Sequence, residues 1–132
     1  MEPEQKPRRT LSFEEAQAVL DEAAEALPPE IFRELNGGIV LLPDLVHSPH
    51  GGTLYTLGTY HNQPMGLGRY ISIYYGSFVQ VHGRASEEAQ KQALREVLHH
   101  ELTHHIESLA GVRDLEVKDE IFIENYRENN NK

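Results

Sequence analysis

Residues 100 to 104 read His-Glu-Leu-Thr-His, and their types and spacing suit metal-dependent hydrolysis. His100 and His104 are four residues apart, so on an α-helix they lie on one face, one turn apart. Two imidazoles arranged in this way can bind one tetrahedral Zn²⁺ at about 2.0–2.1 Å. Glu101 is rotated about 100° around the helix from His100 and is poorly placed as a ligand. Its carboxylate can instead take a proton from a water molecule that the ion activates.

A long helix is predicted to carry this motif. Ser86 is a suitable N-cap, and Glu87 and Glu88 place acidic side chains in the first turn, where the helix dipole favours them. Gly111 is typical of the residue that follows a helix end. The apolar residues between these limits recur with helical period: Ala89, Ala93, Val97, Leu98, Leu102, Ile106 and Leu109. The predicted helix runs from about Glu87 to about Ala110.

The competing interpretation is an ordinary solvated helix face that carries four histidines without a function. It is favoured for His99 and His105, because they point away from the face that His100 and His104 share, or to its flank. Either of these two side chains can still orient a metal ligand or the substrate from outside the ligand set.

A catalytic zinc ion needs a third protein ligand, with water in the fourth position. Asp114 is the predicted ligand, because Gly111 lets the chain turn back and Asp114 follows three residues later. Asp114 also suits the N-cap of a last helix. Glu107 lies on the same face as His100, but about 10 Å farther along the axis at 1.5 Å per residue. The rival ligands that stay open are Glu107, Glu116, Asp119 and Glu120.

This pattern resembles the small bacterial zincin-like metallopeptidases, a family of compact Asp-zincin-type domains. The family pattern is HExxH, then a Gly, then an Asp three residues later. His100, Glu101 and His104 match it, and Gly111 and Asp114 match it in their relative spacing. The resemblance implies a minimal zincin domain that binds Zn²⁺ and hydrolyses peptide bonds.

The resemblance covers most of the chain, from about Ser12 to about Tyr126. It departs from the family pattern by four inserted residues between His104 and Gly111, which is about one helical turn, or roughly 6 Å. No methionine follows the motif, which excludes a Met-turn of the metzincin type. Three further segments carry the resemblance: Leu27-Pro28-Pro29-Glu30, Leu57-Gly58-Thr59-Tyr60 and Ile71-Ser72-Ile73-Tyr74-Tyr75.

Length and composition predict one acidic domain at residues 11–127, between a disordered arm at 1–10 and a frayed tail at 128–132. The absence of cysteine excludes disulfides and thiolate zinc sites. A net charge of −9 argues against a nucleic-acid partner, because binding phosphates requires clustered Lys and Arg. No apolar segment suits a signal peptide or a membrane span, so we expect no membrane partner and a cytoplasmic location.

The pattern of elements predicts an α+β fold. Ser12 and Glu15 form a capping box for a first helix, which Pro28-Pro29 ends. A last helix is predicted from about Leu115 to Tyr126, and residues 78–84 are expected to connect a strand to the motif helix. Three predicted strands are Ile39–Leu42, Thr53–Tyr60 and Tyr70–Tyr75. The expected sheet is small and mixed, with three or four strands packed on the motif helix.

The predicted function is zinc-dependent peptide hydrolysis, with Glu101 as the general base. A peptide substrate would bind extended on a sheet edge, for which Thr53–Tyr60 and Tyr70–Tyr75 are both candidates. The alternatives are a domain that holds zinc or a peptide without turnover, and a metal-free helical interaction module. The candidate donors to an oxyanion are Tyr74, Tyr75, His105 and Tyr126.

Overall fold

The structure is a computed structural model that describes residues 9–49, 54–63, 65–66 and 68–111. It has the α+β class and the three-stranded mixed sheet expected from the sequence. The last helix predicted at Leu115–Tyr126 lies outside the described residues. The elements, in chain order, are α1 (Phe13–Glu25), a 3₁₀ helix (Pro29–Phe32), β1 (Gly38–Leu42), β2 (Gly58–Gln63), β3 (Gly68–Tyr74), α2 (Tyr75–His82) and α3 (Glu87–Leu109).

The strand order of the sheet is β1-β3-β2, with β3 parallel to β1 and antiparallel to β2. Ile71 of β3 pairs with Ile39 on one side and with Tyr60 on the other. Because successive side chains of a strand alternate between the two faces, Tyr60, Ile71 and Ile73 share one face. All three are buried, and they form one core with Leu94, Leu98 and other apolar residues of α3.

This strand order corrects two expectations about the sheet. Tyr70–Tyr75 corresponds to β3, which has a hydrogen-bonded neighbour on both sides and is therefore not an edge. Of the strand predicted at Thr53–Tyr60, the described residues 54–57 precede the sheet, and β2 begins at Gly58 and continues to Gln63. The alternation before Gly58 instead reflects a bridge between Tyr55 and His47, beside which Leu54 and Leu57 are buried.

Local hydrogen bonds explain where α1 begins. The backbone N–H of Glu15 donates to Ser12 Oγ at 3.0 Å, and the N–H of Ser12 donates to Glu15 Oε1 at 2.8 Å. The predicted capping box is therefore confirmed. The helix ends at Glu25, ahead of the two prolines, and its buried side packs against α3 through Ala16, Val19, Leu20 and Ala23.

The motif helix α3 also has the predicted limits. The backbone N–H of Ala89 donates to Ser86 Oγ at 3.1 Å, and Gly111 follows the helix with a φ of 87°. A buried side chain, Gln90, anchors the first turn: its Oε1 accepts from the N–H of Leu11 at 2.9 Å, and its Nε2 donates to the carbonyl of Arg9 at 2.9 Å. The preceding helix α2 is a correction, because we expected residues 78–84 to be a connection.

Candidate metal centre

One turn of α3 brings together His100, Glu101 and His104, whose potential ligand atoms lie within 4.8 Å of one another. The two Nε2 atoms of His100 and His104 are 3.2 Å apart, and the rings meet edge to face. Glu101 Oε1 lies 3.9 Å from His104 Nε2. Among the residues that the structure describes, no further His, Asp or Glu joins this group.

The donor set and its spacing fit a zinc ion. Two nitrogen ligands at 2.0–2.1 Å from a tetrahedral ion are about 3.3 Å apart, which is close to the 3.2 Å between the two Nε2 atoms. The same distance also suits a hydrogen bond from one neutral imidazole to the other. Two imidazoles are nevertheless two of the three protein ligands that one type of catalytic zinc site combines, the third being a carboxylate other than the general base.

Two side chains of the group are more deeply buried than ionisable side chains usually are. Glu101 is 0% exposed and His104 is 1% exposed, whereas His100 is only partly buried. Carboxylates are almost never fully buried unless a cation or hydrogen bonds compensate for the lost hydration. The group therefore lies under the protein surface, with His100 on its more open side.

Gly58 of β2 makes room for the Glu101 side chain. A Cβ at position 58 would lie 3.3 Å from Glu101 Cγ, 3.3 Å from Glu101 Oε2 and 3.0 Å from Val97 Cγ1. A side chain at position 58 would therefore crowd Val97 and Glu101 unless these neighbours shifted by a few tenths of an ångström. We did not assign Gly58 to the site from the sequence, although a glycine inside a strand pattern can mark such a close approach.

His105 lies in the core and not in solvent, so the solvated interpretation is wrong for it. Its exposure is 0%; Nδ1 is 2.8 Å from the Tyr60 hydroxyl and Nε2 is 2.9 Å from the carbonyl oxygen of Arg33. The carbonyl can only accept, so Nε2 carries the proton and Nδ1 of the neutral ring accepts from Tyr60. Burial lowers the pKa of His105, which also favours the neutral ring. His99, in contrast, is exposed as expected.

The candidate oxyanion donors have other roles within the described part of the chain. Both ring nitrogens of His105 bind groups outside the His-Glu-His group. The hydroxyl of Tyr74 donates to Thr59 Oγ1 at 3.3 Å, and that of Tyr75 donates to the carbonyl of Leu11. Tyr126 lies outside the described residues.

None of the candidate third ligands joins the His-Glu-His group among the described residues. Glu107 is half-buried on α3 but is not part of the group that contains His100, Glu101 and His104. The preferred candidate, Asp114, lies outside the described residues, as do its rivals Glu116, Asp119 and Glu120.

The fold and this group define a small α+β domain with a candidate metal centre on its longest described helix. A solved structure of a conserved hypothetical protein from Thermus thermophilus is similar to it, with 31% sequence identity and a TM-score of 0.65. The match covers 76% of this chain and 98% of the other. The chain belongs to the same family as that protein. No family model and no curated protein matches the present chain.

No helix in the described part of the chain is long and apolar enough to cross a membrane.

Proposed function

We propose that the protein is a zinc-dependent metallopeptidase of the zincin-like type. The observation that carries this proposal is the convergence of His100, Glu101 and His104 on one buried turn beside a strand at the sheet edge. The two histidines would bind the ion, and Asp114 would be the third ligand. Cytoplasmic location belongs to the same proposal and is supported by the absence of cysteine.

Glu101 is the proposed general base. A bound Zn²⁺ would polarise a peptide carbonyl and lower the pKa of a water molecule in the site. Glu101 would take the proton from that water and pass it to the leaving amine. The position of Glu101 supports this role, because its carboxyl group lies beside the two histidines and out of contact with solvent.

The edge strand β2 is the proposed binding surface for an extended peptide. In the sheet as described, β1 and β2 are the two edge strands. We choose β2 because its residue Gly58 lies against Glu101. A peptide that adds as a strand to β2 would form main-chain hydrogen bonds there, independent of its own sequence. Its backbone would then pass close to the proposed general base. The net charge of −9 supports a peptide partner over nucleic acid.

A second candidate function is the binding of zinc, or of a peptide, without turnover. The observation that favours it is the length of α3, which continues past His104 as far as Leu109. The chain therefore leaves the helix at Gly111, about 10 Å along the axis from His104. An acidic ligand from beyond Gly111 would have to return over that distance. A metal-free interaction module remains the third interpretation.

The deciding experiment compares metal content and peptide hydrolysis in the wild type and three variants. We expect one zinc per chain in the wild type, retained in Glu101→Gln and lost in the His100→Ala, His104→Ala double variant. The exposed neighbour His99→Ala is the matched control and should keep both zinc and activity. Glu101→Gln should lower kcat by about 10²–10⁴-fold, the usual contribution of a general base.

Two outcomes would contradict the proposal in different ways. A wild-type protein that binds no stoichiometric zinc, even when zinc is supplied, would overturn the metal centre itself. Zinc binding that depends on His100 and His104, combined with no hydrolysis of a broad peptide library, would support the second candidate function.

A further inference from the structure

Polar contacts that range from buried to exposed connect α3 to the sheet and to a preceding turn, immediately beyond the candidate metal centre. His105 follows His104 directly and lies between the Tyr60 hydroxyl of β2 and the carbonyl of Arg33. These partners are 45 and 72 residues away in the sequence. The imidazole therefore joins the motif helix to the sheet and to the turn that follows the 3₁₀ helix.

The next turn of α3 is tied to the same region. Ser108 Oγ accepts from Arg69 Nε at 3.2 Å and from Asn62 Nδ2 at 3.2 Å. Arg69 also binds Glu34 Oε1 through Nη1 at 3.2 Å. Glu34 directly follows Arg33, so the contacts of His105 and Ser108 both lead to one turn of the chain.

That turn has a strained backbone. Glu34 has a φ of 64°, which residues other than glycine seldom adopt. Such a conformation persists when surrounding contacts determine it. Here the Arg69 side chain binds the carboxylate of Glu34, while the preceding carbonyl, that of Arg33, accepts the hydrogen bond of His105. The strained turn thus places a hydrogen-bond acceptor opposite the imidazole.

We propose that His105 is a positioning residue of the metal centre: held between Tyr60 and the Arg33 carbonyl, it fixes the rotation of α3 about its axis. That rotation sets where the His100 and His104 rings converge and where Glu101 lies against β2. The inference rests on the proposed function. His105 touches no reacting atom in this role; it acts through the helix that carries the ligands. Its tautomer matters, because only Nε2–H with an accepting Nδ1 suits a carbonyl on one side and a donating hydroxyl on the other.

The alternative role for His105 is to fill the core, with no specific influence on the metal centre. The two roles differ in what a subtle variant does. Tyr60→Phe removes one hydroxyl and leaves the ring that packs in the core, so a packing role predicts no change in metal binding. A positioning role predicts a looser site.

The test uses Co²⁺ as a visible probe of the full chain. We expect Tyr60→Phe to weaken Co²⁺ affinity by about 10-fold and His105→Phe by about 10–100-fold, the range for groups that orient metal ligands. Both should change the visible absorption bands of the bound ion. His105→Gln, whose amide can donate to the Arg33 carbonyl, should recover part of the affinity. Long-range ¹H–¹⁵N spectra of the wild type should show His105 protonated at Nε2 alone.

Gln90→Leu is the matched control, because Gln90 is another buried polar anchor of α3, at its opposite end. The Gln90→Leu substitution should lower the melting temperature but leave the Co²⁺ affinity within about two-fold of the wild-type value. Ser12→Ala is a milder control of the same kind. Folded Tyr60→Phe and His105→Phe proteins with wild-type affinity and bands would overturn the positioning role and leave the proposed function intact. If Gln90→Leu weakened Co²⁺ affinity as much as His105→Phe does, the positioning role would also be overturned. A wild type that binds no Co²⁺ would overturn the proposed function, and this inference with it.

Discussion

Glu101 is a fully buried carboxylate, and its Oε1 lies 3.9 Å from His104 Nε2, one of the two proposed ligand atoms. A divalent cation held by His100 and His104 would balance the charge of this buried carboxylate. At the scale of single residues, this burial distinguishes Glu101 from other glutamates of α3, such as the exposed Glu88 and Glu96. Gly58 lies against Glu101, and its lack of a side chain leaves space beside the carboxylate.

Gly58→Ala should therefore disturb Glu101 selectively. The added methyl would lie 3.0–3.3 Å from Val97 and Glu101, which is tighter than ordinary van der Waals contact. We expect a loss of about 1–3 kcal/mol in the free energy of unfolding, as for other overpacked sites. Peptide hydrolysis should fall at least 10-fold while zinc is retained. Denaturant unfolding, zinc content and kcat measure these effects.

Gly66→Ala is the control for this change. Gly66 lies in the exposed turn between β2 and β3, where a Cβ would meet mainly the flexible end of the Gln63 side chain. This variant should resemble the wild type in both stability and activity. A Gly58→Ala protein that also resembles the wild type would show that Glu101 does not need the space that we assign to it.

At the scale of elements, one arginine contacts the first turns of both α1 and α3. Arg9 contacts Glu15 of α1 at 2.8 Å and Glu87 of α3 at 3.0 Å. Its hydrogen bond to Glu15 is the main reason why the pKa of Glu15 is lowered to about 2, and the N–H of Ser12 adds to the effect. The capping box therefore carries a charge that helps to join the two helices.

The stability of the protein should depend on pH through Glu15. Its pKa is lower in the folded state, at about 2, so the unfolded state binds more protons as the pH falls. The contribution of Glu15 is fully present above about pH 4.5 and is lost as the pH falls toward 2. Glu15→Gln keeps a capping residue at this position but removes the charge. Denaturant unfolding from about pH 7 to about pH 2.5 should show the wild type more stable at neutral pH, with a difference that shrinks toward the acidic end.

Glu14→Gln removes a charge from the same first turn and serves as the control for the general effect of charge. Equal effects of the two substitutions at neutral pH would mean that the contact between Arg9 and Glu15 has no separate influence. Because Arg9 and Glu15 are both partly exposed, their ion pair should contribute only modestly to the free energy of unfolding.

At the scale of the whole molecule, the sequence predicted the parts that depend on local hydrogen bonds and periodicity. Ser12, Ser86 and Gly111 determine helix ends through contacts within a few residues, and the structure has those ends. Helix α2 escaped prediction because it follows β3 directly, and Tyr74 at its N-cap makes no side-chain capping bond. The burial of His105 could not be predicted either, because both of its partners are distant in the sequence.

The proposed zinc site needs a third protein ligand, and single substitutions at the candidate residues test which one it is. Asp114→Asn preserves the shape of the side chain but removes its charge, so zinc affinity should fall by more than about 100-fold if Asp114 is a direct ligand. That loss would exceed the roughly 10–100-fold that is typical for groups outside the ligand set. Zinc competition titrations should show much smaller changes for Glu107→Gln, Glu116→Gln, Asp119→Asn and Glu120→Gln. A larger loss in one of these four would transfer the ligand role to that residue.

The mixed sheet has a consequence for the order in which the molecule folds. Strands β2 and β3 are close in the sequence and pair as a hairpin, whereas Gly38 of β1 pairs in parallel with Tyr70, a separation of 70 − 38 = 32 residues. Because distant contacts cost more chain entropy, the hairpin should form before β1 joins it. The two motif histidines need only one turn of helix, while the burial of Glu101 needs β2. During refolding, the two candidate ligand histidines would therefore come together before Glu101 is buried.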